Sequence, residues 1–203
     1  MKYNPEIHKR KSIRLKGYDY SQAGLYFITI CVQNRECLFG NIENGEMILN
    51  DAGKIIDTEW LNLKNRFPNI EFHEYIAMPN HFHGILEIVG ATLVVAQNEI
   101  NVVAQNDGIA NNVLSDNQHE KGQPQGIAPT AKTIGDMMDA FKSITTVEYI
   151  RGVKNLGWKP FDGKLWQRNY YEHIIRNEQS YQTISNYILN NPAKWQEDKF
   201  YAI

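Results

Sequence analysis

The order of hydrophobic patterns along the 203-residue chain predicts an α+β fold of the ferredoxin-like, split βαβ type. Strand and helix patterns follow one another as β-α-β-β-α-β-α, and a short Pro79-Asn80 turn joins the second and third strands along the chain. We therefore expect one four-stranded antiparallel sheet with two helices on one face, followed by a C-terminal helix. The other face of the sheet is expected to stay open, which makes it the natural place for a functional site.

The first half of this order rests on clear local patterns. Residues 24–32, GLYFITICV, are rich in β-branched and aromatic types, as in a buried strand. Asn50 is a predicted helix N-cap, and the helix is expected to end near Pro68. Its apolar residues are spaced by 4, 4, 3 and 4 positions, which places them on one face. They are Ala52, Ile56, Trp60, Leu63 and Phe67. Residues 70–78 and 81–89 then form a predicted hairpin.

The second half contains a helix, a strand and a last helix. Apolar residues at helical spacing mark the second helix. They are Ile134, Met137, Met138, Phe141 and Ile144. Residues 165–175, LWQRNYYEHII, are the predicted fourth strand. The last helix is expected from about Glu178 to Asn191, where Pro192 stops it.

Composition excludes several classes of protein. Hydrophobic residues make up 42% and charged residues 22%, which is typical of a globular domain. The longest near-continuous apolar run, Leu25–Val32, is far shorter than the ~20 residues that span a bilayer. The basic N-terminus has no apolar stretch behind it, and two cysteines, Cys31 and Cys37, indicate a reducing compartment. We therefore expect a cytoplasmic protein with no membrane partner.

The net charge of −2 hides an uneven distribution along the chain. Residues 1–16 carry six basic side chains and one acidic one, and such an arm either contacts phosphates or is a solvated terminus. Residues 91–131 are rich in Asn and Gln, contain VVAQN twice, and are interpreted as a low-complexity insertion or loop, with a hairpin as the alternative. We expect residues 1–203 to form a single domain that includes both segments.

His81 and His83 are the sharpest local signal. Residues i and i+2 of a strand point to the same face, so the two imidazoles project together while Phe82 points the other way. If the helices cover the Phe82 side, the histidines lie on the open face, where two imidazoles suit a divalent metal ion. The spacing alone is weak evidence, and the alternative is a pair of structural histidines that pack a turn.

The predicted last helix supplies a second candidate group. Tyr187 and Asn191 are four residues apart and share a face of this helix. Tyr187 lies at the edge of the apolar stripe, where an aromatic side chain usually packs and does no chemistry. On chemistry alone three other tyrosines compete for the role of a nucleophile, namely Tyr170, Tyr171 and Tyr181.

These strings together resemble a known family. MPNHFHGI at 78–85 is followed about 100 residues later by YILNNP at 187–192, with GLYFIT at 24–29 and LWQR at 165–168 in the expected places. The chain is similar to the HUH single-tyrosine transposases and, within them, to the REP-associated tyrosine transposases. The resemblance covers nearly the whole chain except residues 91–131, and the motifs are specific as an ordered set.

The resemblance implies a site and a cofactor. It assigns His81, His83 and Asn191 to a divalent metal ion, usually Mg²⁺ or Mn²⁺, and Tyr187 to nucleophilic attack on a DNA phosphate. Such an attack leaves a 5′-phosphotyrosine and a free 3′-hydroxyl, and it keeps the energy of the bond for rejoining. Imidazole suits Mn²⁺ or Zn²⁺ better than Mg²⁺, so the identity of the metal stays open.

The resemblance also implies a substrate and a function. The expected protein is a metal-dependent HUH endonuclease and strand transferase that cleaves single-stranded DNA beside hairpins, such as REP-like palindromes, in DNA recombination and transposition. The expected DNA contacts are Lys9, Arg10, Lys11, Arg14 and Arg168. Nucleoid association would follow, and both a homodimer and a monomer are compatible with the resemblance.

Three other functions compete with this one. The first is a hairpin-binding module of the same fold that has lost its chemistry. The second is a zinc hydrolase that uses His81 and His83, although the sequence offers neither HExxH nor CxxC as further ligands. The third is a structural ferredoxin-like protein in which the histidines are incidental.

Overall fold

The structure, a computed structural model, describes residue 15 and residues 17–90 and 132–201. Apart from Leu15, the predicted basic arm and the predicted insertion at 91–131 lie outside the described residues. The described strands are β1 (Gly24–Cys31), β2 (Gly40–Glu43), β3 (Glu46–Leu49), β4 (Ile70–Met78), β5 (His81–Ile88) and β6 (Tyr171–Ile175). The described helices are α1 (Asp51–Arg66), α2 (Ile134–Leu156) and α3 (Glu178–Asn190).

The fold class is confirmed. Four of the strands form one sheet in the order β4-β5-β1-β6, with every neighbouring pair antiparallel. This is the order that a split βαβ unit produces, because β1 lies between the β4–β5 hairpin and the last strand. Asn50 caps α1 as predicted, since its side chain accepts a hydrogen bond from the backbone N–H of Gly53.

Two local predictions differ from the structure. The last strand begins at Tyr171, because the apolar residues Leu165 and Trp166 are buried in the core as part of a loop instead of extending the strand. The β2–β3 hairpin was not predicted. Its turn, Asn44-Gly45, has positive φ at both residues, and an Asn-Gly pair is the sequence signal for such a turn.

One face of the sheet is a continuous apolar layer against α1 and α2. Phe82 of β5 lies with its ring centroid 4.7 Å from Trp60 of α1 and 5.4 Å from Phe141 of α2. Gly84, on the same face as Phe82, permits this packing, because a Cβ there would lie 2.8 Å from the Trp60 ring. Most of the buried hydrophobic residues belong to this layer.

The opposite face is covered, so the prediction of an open face is wrong. Helix α3 packs its apolar stripe against Phe27, Ile85 and Ile175 of this face. The apolar side chains of the stripe, among them Ile188, are buried in this way, as expected for an amphipathic helix. The segment after α3 then closes over the histidines, leaving His81 0% and His83 1% exposed. No helix within the described ranges is long and apolar enough to cross a membrane.

Candidate active site

The two histidines of β5 lie side by side beneath α3 and the segment that follows it. His81 and His83 project to the same face, as the strand alternation predicts, and their ring centroids are 4.5 Å apart. Phe200 packs against His81 with a centroid distance of 4.7 Å. The pair is therefore buried between the sheet and the C-terminal segment, although sequence reasoning placed it at an open surface.

Asn80, the turn residue before β5, fixes the orientation of His81. Its side-chain N–H groups donate to the backbone carbonyls of Arg35 (3.1 Å) and Phe200 (2.8 Å). The amide oxygen of Asn80 therefore faces His81 Nδ1 at 2.9 Å and accepts a hydrogen bond from the Nδ1–H group. His81 Nε2 is left with a lone pair, and it is buried without a hydrogen-bond partner among the described residues.

His83 is held at both ring nitrogens. Its Nδ1 lies 2.8 Å from Thr29 Oγ1 on β1, and its Nε2 lies 3.2 Å from the Tyr187 hydroxyl. Burial lowers the pKa of His83 well below its usual value, and it lowers the pKa of His81 to about 4. Both imidazoles are therefore neutral at neutral pH, which is the form that binds metal ions.

Tyr187 brings its hydroxyl from α3 to this pair. The hydroxyl lies 3.2 Å from His83 Nε2 and 3.2 Å from Asp198 Oδ2, and the side chain is 39% exposed. Burial, followed by the negative charge of Asp198, raises the pKa of Tyr187 to about 12. The phenol is therefore protonated at neutral pH, next to a carboxylate that accepts hydrogen bonds.

The competing tyrosines lie elsewhere. The hydroxyl of Tyr181 is 3.0 Å from a carboxylate oxygen of Glu74. Tyr170 is buried in the core on the other face of the sheet, and Tyr171 is exposed on the edge strand β6. The structure thus brings Tyr187 to the histidine pair, as the resemblance implied.

Asn191 and Asp198 complete the cluster, and sequence reasoning missed Asp198. Asn191, which ends α3, is 2% exposed and donates its side-chain N–H to Asp198 Oδ2 at 3.0 Å. Its amide oxygen is buried without a partner among the described residues. Asp198 follows the 3₁₀ turn Pro192–Glu197 and accepts the backbone N–H of Phe200. It lies beyond the last predicted element and beyond the motif that ends at Pro192, so no sequence signal pointed to it.

The residues present fit a divalent metal ion. His81, His83 and Asp198 each offer a ligand atom, and these atoms all lie within 4.8 Å of one another. In addition, His81 Nε2 and Asn191 Oδ1 are buried acceptors without a partner among the described residues, and such atoms destabilise a fold unless something binds them. A donor set of two imidazoles and one oxygen suits Mn²⁺ or Zn²⁺ and, less well, Mg²⁺.

A separate polar cluster anchors α3 to the sheet. The register of β4 against β5 shifts between Phe72 and Tyr75, so that His73 and Glu74 both stand opposite one residue of β5. Such a bulge allows two consecutive side chains to lie on the same face of the sheet. Glu74 accepts hydrogen bonds from the hydroxyls of Tyr181 (3.0 Å) and Ser185 (2.9 Å). These bonds fix the half of α3 that precedes Tyr187.

The predicted DNA contacts are only partly described. Lys9, Arg10, Lys11 and Arg14 lie outside the described residues. Arg168 is exposed, in a loop held by Lys142, whose ammonium donates to the Arg168 carbonyl at 2.9 Å. The neighbouring Gln167 N–H donates to the carbonyl of Cys31, which pairs with His81 across the sheet. Arg168 therefore belongs to the same end of the sheet as the histidine pair.

Comparison with solved structures identifies a protein of similar fold. A solved structure of a REP-associated tyrosine transposase bound to a REP hairpin superposes with a TM-score of 0.50 over 89% of this chain and 73% of that chain, at 17% sequence identity. The likeness shows that the two chains share a fold.

Sequence comparison gives a nearer relative. No family model matches the chain. An uncharacterized protein of Haemophilus influenzae is 42% identical over 201 residues, which span 99% of this chain and 98% of that protein. Identity of this extent along both chains indicates common descent and one fold. The chain therefore belongs to the same family as this Haemophilus influenzae protein.

Proposed function

We propose that this protein is a transposase-like enzyme that nicks and rejoins single-stranded DNA beside hairpins. The observation that carries the proposal is the position of the Tyr187 hydroxyl, 3.2 Å from one histidine of a buried neutral pair and 3.2 Å from a carboxylate. A nucleophile next to a proton acceptor and a candidate metal site is the arrangement that phosphodiester transesterification requires. The shared fold with a REP-associated tyrosine transposase supports the same reaction class.

The proposed reaction exchanges one phosphate ester for another. The Tyr187 oxygen attacks phosphorus while its proton passes to Asp198 Oδ2, the acceptor 3.2 Å away. The bond between phosphorus and the 3′-oxygen breaks as that oxygen takes a proton from water, and Asp198 releases the tyrosine proton to the hydroxide that results, so no net proton is gained or lost. The product is a 5′-phosphotyrosine, which the 3′-hydroxyl of another strand can attack in the reverse sense. No ATP is needed, because each step makes one ester bond and breaks one.

The metal is proposed to be Mn²⁺ or Mg²⁺, held by the Nε2 atoms of His81 and His83 and by Asn191 Oδ1. A divalent ion there supplies positive charge that stabilises charge developing on the phosphate. We assign Asn191 and not Asp198 as the third ligand because the Asn191 oxygen is unpartnered among the described residues, whereas both carboxylate oxygens of Asp198 already accept hydrogen bonds. Asp198 then orients Asn191 and Tyr187 together.

The proposed partner is single-stranded DNA with a hairpin. The solved neighbour is bound to a REP hairpin, and we transfer that class of ligand to this chain as part of the proposal. Lys9, Arg10, Lys11, Arg14 and Arg168 are the proposed phosphate contacts. A homodimer stays a prediction.

A covalent adduct assay tests the proposal. Labelled palindromic hairpins with single-stranded flanks, taken from the genome that encodes the chain, are incubated with Mn²⁺ or Mg²⁺ and run on a denaturing gel. We expect a protein–DNA adduct with the wild type and with Tyr201→Phe, a matched exposed tyrosine, but none with Tyr187→Phe. An adduct with Tyr187→Phe would show that the nucleophile is misassigned. Hairpin binding without any adduct would favour the catalytically inactive binding module.

Two further variants separate the roles of the oxygen ligands. Asn191→Ala is expected to weaken Mn²⁺ binding in calorimetry, whereas Asp198→Asn is expected to retain Mn²⁺ binding and slow adduct formation. If Asp198→Asn instead loses the metal ion, then the carboxylate is the third ligand, as the 4.8 Å cluster also allows.

A further inference from the structure

We propose that Tyr171 is a base-stacking platform for the single-stranded segment next to the cleaved bond, with Lys199 and Arg35 binding the phosphates of that segment. The inference rests on the proposed function and deepens it, because it names a subsite for the DNA on a surface outside the catalytic cluster. It places one flank of the substrate on the edge strand of the sheet.

The register of the sheet aligns Tyr171 with the catalytic row. Thr29 of β1 pairs with His83 on one side and with Tyr171 of β6 on the other. Residues paired across antiparallel strands point to the same face, so Tyr171 faces the side on which His83 and Tyr187 lie. Two strand spacings separate Tyr171 from His83, which is about 10 Å along the sheet. A short single-stranded segment covers this distance.

The ring of Tyr171 is available for stacking. The side chain is 47% exposed at the edge of the sheet. Phe27 supports it from within, with an edge contact at a centroid distance of 6.3 Å, and the same Phe27 ring lies 6.2 Å from Tyr187. A supported, half-exposed aromatic ring is a feature that single-stranded DNA-binding proteins use to stack bases without reading their sequence.

Positive charge lies over this ring and over the Phe200 ring beside the histidine pair. The Lys199 ammonium is 5.9 Å from the centre of the Tyr171 ring and 4.7 Å from that of Phe200, which packs against His81. Arg35 also lies over the Phe200 ring, at 5.6 Å from its centre, and donates a hydrogen bond to the Lys199 carbonyl. Lys199 and Arg35 are exposed.

These two cations are available to an external anion. In the part of the chain that the structure describes, no carboxylate lies within ion-pair distance of Lys199 or Arg35. Two cations next to aromatic rings, with no carboxylate partner among the described residues, complement a chain of phosphates and stacked bases better than an acidic peptide, which would not use the aromatic platform. The occupant to which the geometry points is therefore single-stranded DNA.

A cavity next to Tyr171 gives space for more of the DNA strand. A cavity of about 420 Å³ opens between β6 and the first turns of α3. Its walls combine the Phe27 and Tyr171 rings with polar side chains, including His173, Asn177, Ser180 and Thr183. Hydroxyl and amide groups of this kind bond to bases or phosphates without strong sequence preference.

A coupling experiment between protein and DNA tests the platform. Hairpin oligonucleotides carry a single abasic nucleotide, moved stepwise through the flanks of the scissile phosphate, and their affinities are measured with wild type, Tyr171→Ala and Tyr171→Trp. At one position of the intact DNA, Tyr171→Ala is expected to weaken binding about 10-fold or more, and Tyr171→Trp to retain it. When that base is absent, wild type and Tyr171→Ala should bind equally.

Two additional measurements distinguish stacking from a structural role. The effect of Tyr171→Ala on adduct formation should lie in KM with kcat retained, since the ring does not touch the reacting atoms. A 2-aminopurine at the coupled position should lose fluorescence on binding to the wild type and keep it with Tyr171→Ala. Lys199→Gln should lower the slope of log affinity against log salt by about one.

The outcomes separate this inference from the proposed function. Adducts that form while Tyr171→Ala shows no coupling at any abasic position would overturn the platform and leave the nuclease intact. Coupling without any adduct would support the platform and overturn the proposed chemistry. A wild type that binds neither hairpins nor oligothymidine would overturn both.

Discussion

The two faces of the four-stranded sheet have opposite characters, and the alternating side chains of β5 show the difference. On β5, Phe82 and Leu86 point toward α1 and α2 and join a large aromatic layer. His81 and His83, the neighbours of Phe82, point toward α3 and hydrogen-bond to polar side chains. The Nε2 atom of His81 has no hydrogen-bond partner among the described residues. The first face stabilises the fold, and the second holds reactive groups in a buried position. The difference teaches that burial alone does not identify a core.

Substitution in the apolar face should have the largest effect on stability. Phe82→Ala removes a fully buried ring and is expected to lower the free energy of unfolding by about 3–5 kcal/mol, measured by denaturant titration. His83→Ala, one residue away and also buried, is the matched comparison and should cost less, because the imidazole is a smaller and more polar ring than the phenyl ring of Phe82. Equal losses for the two variants would break the distinction between the faces.

Stabilisation by a metal ion should depend on the histidine face of the sheet and not on the apolar face. Mn²⁺ at 100 times its dissociation constant is expected to stabilise the wild type by about 3 kcal/mol, seen as a rise in Tm. His81→Ala should lose this rise, because it removes the unpartnered Nε2 atom, whereas Phe82→Leu should keep it from a lower starting Tm. Stabilisation of His81→Ala to the same extent would show that Mn²⁺ binds elsewhere.

Overpacking tests how tightly the apolar face is filled. Gly84→Ala places a Cβ 2.8 Å from the Trp60 ring and 2.9 Å from the Phe82 ring, and is expected to cost about 1–3 kcal/mol of unfolding free energy. The double variant Gly84→Ala/Trp60→Phe should lose less than the sum of the single variants, because the smaller ring leaves room for the methyl group. Strict additivity would argue that the two residues are not in contact.

The polar anchor of α3 should give the smallest effect. Ser185→Ala removes one hydrogen bond to Glu74 and is expected to cost about 1–2 kcal/mol, measured by denaturant titration at neutral pH. It should also slow adduct formation with the hairpin bound normally, because α3 carries Tyr187. A variant of full stability and full rate would show that the anchor has no role.

The same anchor predicts a pH dependence. Burial alone would raise the pKa of Glu74, but hydrogen bonds from its own backbone, Ser185 and Tyr181 together lower it. A carboxyl group whose pKa is lower in the folded state stabilises the fold above its unfolded pKa, and this contribution is lost as the pH falls through the folded value. The stability difference between wild type and Glu74→Gln should therefore shrink as the solution is acidified below about pH 4.

Much of the fold could be predicted because its signals are local. The Asn50 cap, the Pro79-Asn80 turn and the alternation of HFHG depend on neighbours within a few residues, and the structure has them where the sequence predicts them. The loop at 165–170 was predicted as strand because burial of Leu165 and Trp166 gives the same apolar pattern as pairing would. Periodicity does not distinguish these two causes.

The sequence by itself determined that His81 and His83 share a face and that Tyr187 and Asn191 share another, since strand and helix periods fix both. Only the tertiary structure decided that these faces meet and that Asp198 lies beside them. It also decided the orientation of the His81 ring, because Asn80 bonds to the carbonyls of Arg35 and Phe200 and so presents its oxygen to His81. It also decided that the histidines are buried. The physical reason is that these contacts join segments distant along the chain, where packing and not local periodicity selects the partner.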